Sequence, residues 1–240
     1  MKYYEMHDEV YERLAKKGKV SWDGIDSPEK LFDHDINISL AKRIDHYFPE
    51  KAGRRVVDLG CGTGTAALYL ASLGFSIKGF DVSPNAIDMA NKNKEALGLE
   101  AEFEACDLIE LNHFEADLTI DSSLLHCLVD KEDRKKFFSL CSGLTFIHTM
   151  IESKDMSEIT DRDYMTFQDG VLWSEGPKHW DMDWHDINGL KMFKHRRISS
   201  ENGLLKEIED NGFEMLEYFV KSQNKSASTL VGWMKRKDNK

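Results

Sequence analysis

Residues 54–81 read RRVVDLGCGTGTAALYLASLGFSIKGFD, and this stretch decides the fold. An apolar strand ends near Asp58, a glycine-rich turn and a helix follow, and a second strand closes at Asp81. Glycine lets the backbone turn tightly and approach a ligand, because it has no Cβ. A carboxylate at the end of the second strand lies where doubly wound folds bind ribose hydroxyls. The stretch therefore predicts a βαβ unit that binds a ligand containing a nucleoside.

The spacing of the glycines distinguishes a site for a dinucleotide from a site for a cationic nucleoside. Dinucleotide sites use G-x-G-x-x-G, and the helix after that turn faces a pyrophosphate. This chain instead has G-x-G-x-G at Gly60, Gly62 and Gly64, with Asp58 ahead of them where a carboxylate would repel a phosphate. An acid there suits a ligand that carries an ammonium or a sulfonium, and S-adenosylmethionine carries both. The alternatives are a nicotinamide cofactor and a glycine turn that binds nothing.

The run VVDLGCGTGTAALYLA resembles, residue by residue, the first motif of the class I S-adenosylmethionine-dependent methyltransferases, and the resemblance covers residues 54–151. It implies that the glycine turn cradles methionine and ribose, that Asp81 accepts hydrogen bonds from both ribose hydroxyls, and that Val82 and Asp107 meet the adenine. The cofactor-binding residues implied in this way are Asp58, Gly60, Cys61, Gly62, Gly64, Asp81, Val82, Asp107, Leu108 and Ser122. Asp107 and Asp121 could instead cap a helix or a loop.

The sequence offers fewer signals for catalytic side chains. Methyl transfer from a sulfonium is an in-line displacement with a neutral leaving group, so the protein chiefly has to align two ligands and exclude water. The candidate bases are Asp121 and His126, which lie at or just beyond the end of the fourth predicted strand, and His148 in the apolar run LTFIHTMI. A single histidine in such a strand is more often a hydrogen-bonded core residue than a base.

Aromatic residues outside the glycine turn are candidates for the walls of an acceptor pocket. They concentrate in the run HWDMDWH at 179–185 and in the N-terminal segment up to Trp22. We predict that the substrate side contains Tyr3, Tyr4, Trp22, His148, Trp180 and Trp184. The alternatives are that the tryptophans only pack a lid onto the sheet and that the N-terminal segment frays. A metal site built from His179, Asp181, Asp183 and His185 is disfavoured, and we predict no metal.

Composition excludes several classes of partner. The formal net charge of -11 over 240 residues opposes binding to phosphate backbones, which requires clustered Lys and Arg. The four cysteines form no C-x-x-C pair, which argues against a zinc site and for a reducing compartment. No apolar run is long enough to span a bilayer, and the N-terminus lacks a signal-peptide core. We therefore expect a cytoplasmic protein without a nucleic-acid or membrane partner, in an oligomeric state that the sequence does not predict.

Alternating strands and helices predict an α/β fold with a doubly wound, mostly parallel, seven-stranded sheet of the Rossmann-like methyltransferase type. We predict a single domain over 1–240, with an N-terminal helical lid or extension (1–53), a cofactor-binding core (54–151), an insertion without clear periodicity after the fifth strand (152–198), and a C-terminal helix with two strands (199–240). Ser27-Pro28 predicts a helix that continues to about Phe48, and Ser83-Pro84 predicts one that ends at Gly98.

The resemblance and the composition together predict transfer of a methyl group from S-adenosylmethionine to a small-molecule acceptor. One alternative is a protein of the same fold that binds the cofactor as a regulatory or accessory subunit without turnover. Another is a protein methyltransferase, which would present a groove open to a peptide. The sequence does not indicate whether the accepting atom is oxygen, nitrogen, sulfur or carbon.

Overall fold

The computed structural model describes residues 2–157, 164–177, 180–223 and 225–237. The chain divides into two compact units. We call the first the glycine-loop unit, which consists of His7–Ser122 and Ser139–Phe146. The second, the C-terminal unit, consists of Met1–Met6, Ser123–Phe138 and Ile147–Lys240. The assignment of 1–240 to one domain with four segments stays a prediction.

The helices are α1 (His7–Lys16), α2 (Asp35–Ala41), α3 (Ile44–Tyr47), α4 (Thr65–Ser72), α5 (Pro84–Leu97), α6 (Lys131–Leu140) and α7 (Glu201–Asp210). Short 3-10 segments lie at Pro28–Asp33, Leu108–Glu110 and Leu125–Cys127. The strands are β1 (Arg55–Leu59), β2 (Ser76–Asp81), β3 (Glu102–Ala105), β4 (Leu118–Ser122), β5 (Leu144–Ile151), β6 (Met165–Gln168), β7 (Val171–Ser174), β8 (His185–Ile187), β9 (Leu190–Arg197), β10 (Phe213–Lys221) and β11 (Ser228–Arg236). In the described residues, no helix is both long enough and apolar enough to cross a bilayer.

The large sheet has seven strands in the order β10-β11-β5-β4-β1-β2-β3. β1 runs parallel to β2 on one side and to β4 on the other, and β2 runs parallel to β3. β10 and β11 pair antiparallel at the other end of this sheet. β1 is buried from Val56 to Leu59, as expected for a central strand of a sheet that is covered on both faces. The predicted fold class is confirmed.

Two helix starts follow from their capping sequences. At α5, the Ser83 hydroxyl accepts a hydrogen bond from the Ala86 N–H at 3.0 Å, and Gly98 ends the helix with a φ of 64°. At α7, the Ser200 hydroxyl accepts from the Gly203 N–H at 3.2 Å. A serine in extended conformation satisfies an N–H that the first helical turn leaves open, so these boundaries were predictable locally.

The predicted continuous helix from Ser27 to Phe48 is wrong. The chain instead forms the 3-10 segment Pro28–Asp33, then α2, then the single turn α3. Ser27 does not cap the first of these, because its hydroxyl donates to the Glu29 carboxylate at 2.8 Å. His34 is extended between the first two segments and caps α2 with its ring nitrogen, 3.2 Å from the Ile36 N–H. An extended residue at this point interrupts the helical ladder, although the apolar spacing is helical.

The insertion at 152–198 is more regular than predicted. Its described part contains a four-stranded antiparallel sheet in the order β6-β7-β9-β8. Two tight turns connect its hairpins: Asp169-Gly170, with φ of 53° and 73°, and Asn188-Gly189, with φ of 55° and 82°. Positive φ at both central residues defines the turn type that suits hairpins, and Asp-Gly and Asn-Gly are its preferred sequences. These dipeptides were the available sequence signal for the sheet.

Candidate functional site

The turn between β1 and α4 depends on its glycines. Gly60, Gly62 and Gly64 have φ of 69°, 53° and 81°, a region that residues with a side chain rarely adopt. A Cβ on Gly62 would lie 2.8 Å from the Tyr11 hydroxyl, and one on Gly64 would lie 2.9 Å from a ring atom of Phe103. The turn is therefore fixed both by backbone conformation and by close packing. Its backbone can approach a ligand as the sequence predicted.

Asp81 fastens this turn to the end of β2. One carboxylate oxygen accepts the Gly62 N–H at 2.8 Å, and the other accepts the Ser83 N–H at 2.9 Å. Withdrawal from water raises the pKa of Asp81 to about 6, the two N–H donors oppose that rise, and the charge of Asp8 adds to it. Each carboxylate oxygen can accept a further hydrogen bond. Asp81 can thus hold the turn and still receive hydroxyl donors from a ligand.

Asp58 is a fully buried carboxylate beneath the turn. Within the described part of the chain, neither of its oxygens has a hydrogen-bond partner of good geometry. Burial raises the pKa of Asp58 well above its usual range, the charges of Asp121 and Asp81 add to the rise, and the Ser122 hydroxyl opposes it. A buried polar group left in this state is unfavourable and calls for an explanation. A ligand cation or hydrogen-bond donor would supply the missing interaction.

Other implied cofactor residues and the candidate base Asp121 lie at the same edge of the sheet. Val82 follows β2, Asp121 and Ser122 end β4, and Asp107 follows β3. In open α/β sheets, ligands bind at the carboxyl ends of the strands, which is this edge. Asp107 also caps the 3-10 turn Leu108–Glu110, since its carboxylate accepts the Ile109 N–H at 3.0 Å. The capping role held open for Asp107 is therefore present. All ten implied cofactor residues belong to the glycine-loop unit.

Residues of α1 pack against the glycine turn and α5. Tyr11 was expected, with the other N-terminal aromatic residues, to form a wall of the site, whereas Asp8 was missed. Tyr11 is buried against Ala86 and Met89 of α5, with its hydroxyl near Gly62. Trp22, predicted on the substrate side, lies edge-on to Tyr11 with ring centres 5.2 Å apart and is 38% exposed. Asp8 accepts hydrogen bonds from Ser83 and from Asn85 of α5. Helical spacing of Tyr11 and Leu14 was the only local signal, because the contacts join distant parts of the chain.

Asn93 is a second omission. Its buried side-chain amide donates to the Val20 carbonyl at 2.9 Å and to the Thr63 carbonyl at 3.0 Å. It thereby joins the glycine turn to the segment that leads to Trp22. A single asparagine within a helix carries no sequence signal for such a role.

In the C-terminal unit, Tyr3 organises the start of α6. Its hydroxyl donates to Asp133 at 2.8 Å and accepts the N–H groups of Val129 at 2.8 Å and Asp130 at 3.3 Å. Burial is the main cause of the raised pKa of Tyr3, and the Asp133 carboxylate adds to it. The hydroxyl donor and both acceptor positions are in use, so the Tyr3 hydroxyl is a structural group here. Tyr4 is buried with its ring edge-on to Tyr3.

The two candidate histidines have different surroundings. His126 is buried, and its Nδ1 accepts the Met150 N–H at 3.3 Å and lies 3.2 Å from the Thr149 hydroxyl. This hydrogen-bonded core environment was expected for His148, whereas His126 was predicted as a base. His148 is half-buried, with Nδ1 3.0 Å from the Ser123 hydroxyl. Ser123 follows β4 and has a φ of 73°, a strained conformation for serine that recurs at functional sites.

The tryptophans of the run at 179–185 form an aromatic cluster. Trp180 is buried with Met6, Met182 and Phe193, and Trp184 packs against them and donates its ring N–H to the Trp180 carbonyl at 3.3 Å. His179 lies outside the described residues, and His185 pairs with Asp183 at 3.0 Å. Among the residues that the structure describes, no group of three or more His, Cys, Asp or Glu could hold a metal ion.

Comparison with known proteins identifies this arrangement. The sequence model of the family described as "Methyltransferase domain" matches residues 50–161, which include the glycine turn and every implied cofactor residue. Residues 50–161 therefore carry a methyltransferase domain of the class I S-adenosylmethionine-dependent type. The resemblance stated from the motif is confirmed, and the matched segment extends it by a few residues at one end and about ten at the other.

Individual relatives of this methyltransferase domain have different acceptors. The chain is 42% identical over 66 residues to a tRNA (uracil(54)-C(5))-methyltransferase of Pyrococcus furiosus, covering 28% of this chain and 15% of that protein. It is 36% identical over 72 residues to a ubiquinone biosynthesis O-methyltransferase of Burkholderia thailandensis, covering 30% of this chain and 31% of that protein. The chain thus spans less than half the length of the curated relatives that it matches.

A solved structure extends the similarity to the fold as a whole. The magnesium protoporphyrin IX methyltransferase of Synechocystis PCC 6803, crystallised with S-adenosylhomocysteine, superposes with a TM-score of 0.61 over 84% of this chain and 81% of that one. The two chains are 19% identical, so the match demonstrates a shared fold only.

Proposed function

We propose that the protein transfers the methyl group of S-adenosylmethionine to a small-molecule acceptor. The observation that carries the proposal is the buried Asp58 carboxylate, which lacks a hydrogen-bond partner among the described residues and lies beneath a turn of positive-φ glycines. The ligand's ammonium would satisfy such a carboxylate, and the Cβ-free turn would let the backbone approach it. Asp81 at the end of β2 supplies acceptors for ribose hydroxyls. The residues present fit this cofactor better than a dinucleotide.

When bound, S-adenosylmethionine supplies a methyl group already activated by its sulfonium. The glycine turn and Asp81 would fix the nucleoside, and Asp58 would hold the opposite end through charge. Orientation of this kind can contribute about 7–11 kcal/mol to lowering a barrier in favourable cases. Asp121 and Ser122 end β4 at the same edge and complete the surface around the ligand. No residue of the chain has to form a covalent intermediate.

For the acceptor side we assign one candidate base and three aromatic residues. His148 with its Ser123 contact is the better candidate base, because His126 is engaged in core hydrogen bonds. Trp180, Trp184 and Tyr4 would supply apolar surface for an organic acceptor. The net charge of -11 supports a small or cationic acceptor over RNA or DNA. The four cysteines are free thiols, which supports a cytoplasmic location.

Calorimetry tests the cofactor. We expect S-adenosylmethionine and S-adenosylhomocysteine to bind with similar affinity and NAD to bind much more weakly, because Asp58 and the G-x-G-x-G turn disfavour a pyrophosphate. Adenosine serves as a control, since it retains the ribose but lacks the ammonium that Asp58 would bind. Tighter binding of NAD than of S-adenosylhomocysteine would contradict the assignment.

Turnover tests the acceptor and the alternatives. Formation of S-adenosylhomocysteine is measured against panels of small phenols, amines and thiols, against unmodified tRNA and against protein lysates. We expect turnover with the small molecules, and tRNA binding at physiological salt no stronger than ordinary non-specific contact. A sub-micromolar tRNA complex that turns over would overturn the small-molecule proposal. Cofactor binding without turnover on any panel would favour the accessory subunit, and turnover on protein alone would favour a protein methyltransferase.

A further inference from the structure

Asp8 reaches from α1 to the start of α5. One of its carboxylate oxygens accepts the Ser83 hydroxyl at 2.6 Å and the Asn85 N–H at 3.1 Å, and the other accepts the Asn85 side-chain amide at 2.9 Å. These contacts join residues more than seventy positions apart in the sequence. Three donors converge on one side chain, so Asp8 is held in a defined position.

Ser83 brings Asp8 next to Asp81. Its N–H donates to Asp81 at 2.9 Å, while its hydroxyl donates to Asp8. Two carboxylates are therefore bound to a single residue, and the charge of Asp8 contributes to the raised pKa of Asp81. A ligand bound through Asp81 would therefore experience the negative electrostatic potential of both carboxylates.

Asp8 cannot easily move away from this place. It is in the first turn of α1, and Tyr11, three residues later on the same helix, is buried with its hydroxyl against Gly62. Side chains three apart on a helix share one face, so the same face of α1 contacts both the start of α5 and the glycine turn. The position of the carboxylate is fixed by the packing of the whole helix.

We propose that Asp8 is a specificity-determining residue that restricts this site to nucleosides with an unphosphorylated ribose. The proposal rests on the proposed function, in which Asp81 binds the ribose hydroxyls. A phosphate on one of those hydroxyls would face two fixed carboxylates. Like charges brought together in this way are strongly unfavourable. Asp8 also occupies the Asn85 N–H and the Ser83 hydroxyl at the start of α5, two donors that a phosphate could otherwise use.

A matched pair of probes tests the assignment. Adenosine and adenosine 2′-monophosphate differ by one phosphate on the ribose, and each is used to displace S-adenosylhomocysteine from the full chain. We expect adenosine to displace it from the unmodified protein at least about 100-fold better than the phosphate does. In Asp8→Asn, which keeps the size but removes the charge, we expect this ratio to shrink about tenfold or more. Affinity for S-adenosylhomocysteine should change by less than about threefold, because Asp81 is intact.

Glu12→Gln is the matched control, since it removes one negative charge from an exposed position of the same helix. It should leave the ratio unchanged. Asp8→Ser, which is short, neutral and able to accept from α5, repeats the test if the amide of Asn does not fit. An unchanged ratio in both Asp8 variants, with S-adenosylhomocysteine still bound, would overturn this assignment alone. Failure of the unmodified protein to bind S-adenosylhomocysteine would overturn the proposed function and this assignment with it.

Discussion

Asp81→Asn is expected to weaken the binding of S-adenosylhomocysteine by about 100-fold or more, because hydrogen bonds to a charged acceptor contribute about 1.5–3 kcal/mol each. The amide has only one acceptor oxygen, while the carboxylate holds the Gly62 N–H with one oxygen and the Ser83 N–H with the other. The variant thus loses ribose acceptors and also loosens the turn. Calorimetry measures the affinity, and thermal unfolding without ligand reports how much of the effect is structural.

The same residue predicts a pH dependence. The pKa of Asp81 is raised to about 6 from an ordinary value of 3.8, so its charge becomes available only as the pH rises through about 6. Below that value, affinity should fall by up to about tenfold per pH unit, because the protonated acid no longer accepts from both hydroxyls. In the ligand-free protein, the raised pKa of Asp81 affects stability in the opposite direction. Asp81 adds to the free energy of unfolding below about pH 4, and this gain is lost as the pH rises through about 6.

Asp117→Asn is the matched control for Asp81. Asp117 also accepts a backbone N–H, that of Arg55 at 2.8 Å, but it precedes β4 and lies at the amino end of the strands. The control should lower stability and leave both the affinity and its pH dependence unchanged. If Asp81→Asn kept the affinity of the unmodified protein, or kept its dependence on pH near 6, Asp81 would not be the ribose acceptor.

Asp81 is one of three acidic residues that lie close together at this edge of the sheet. Asp58 is buried without a hydrogen-bond partner of good geometry among the described residues, Asp81 is withdrawn from water, and Asp8 lies beside Asp81. The ionised carboxylates of Asp58 and Asp81 are unfavourable without a ligand, and both become favourable with a cationic nucleoside that has free hydroxyls. Pre-organised polar groups of this kind lower the reorganisation that binding requires. The rule that buried carboxylates are paired or hydrogen-bonded is therefore broken at the place where the ligand is expected to bind.

The sequence predicted the parts of the fold that depend on neighbouring residues. The end of β2 at Asp81, the helix from Ser83 to Gly98 and the glycine turn all follow from short-range patterns. The sheet of the insertion was missed although its Asp169-Gly170 and Asn188-Gly189 turns have the preferred hairpin sequences. Three of its strands have only three or four residues, so alternation along each of them gives a weak signal.

The parts that sequence reasoning could not reach depend on contacts between distant residues. Asp8 meets Ser83, and Tyr3 meets Asp133, across 75 and 130 positions. A tyrosine near the N-terminus predicts equally well a frayed segment, a pocket wall or a helix anchor, and only the fold decides between them. The predicted substrate-side group is divided in the same way: Trp22 lies with the glycine turn, while Tyr4, Trp180 and Trp184 belong to the C-terminal unit.

Gly62→Ala is expected to disrupt the site by two separable effects. At a φ of 53°, a residue with a Cβ costs about 1–2 kcal/mol in the backbone. The new Cβ would also lie 2.8 Å from the Tyr11 hydroxyl, so that either the turn or α1 must shift. We expect binding of S-adenosylhomocysteine to weaken by at least about tenfold beyond the loss of stability, because the displaced turn no longer presents its N–H groups. Calorimetry and denaturant unfolding measure the two effects.

Two further variants distinguish the effect of backbone strain from the effect of the clash with Tyr11. Gly53→Ala imposes a similar strain at a φ of 77°, with nothing within 4 Å of the new Cβ, so it should reduce stability and preserve affinity. Tyr11→Phe removes the clashing oxygen and leaves the ring atom that carries it at 3.7 Å, an ordinary contact distance. Adding Gly62→Ala to Tyr11→Phe should therefore cost less than adding it to the unmodified chain. The expected coupling is about 0.5–3 kcal/mol, the range for residues in direct contact. If the effects of Gly62→Ala and Tyr11→Phe were strictly additive, α1 would not pack on the glycine turn. The role proposed for Asp8 of α1 in ligand selection would then be wrong as well.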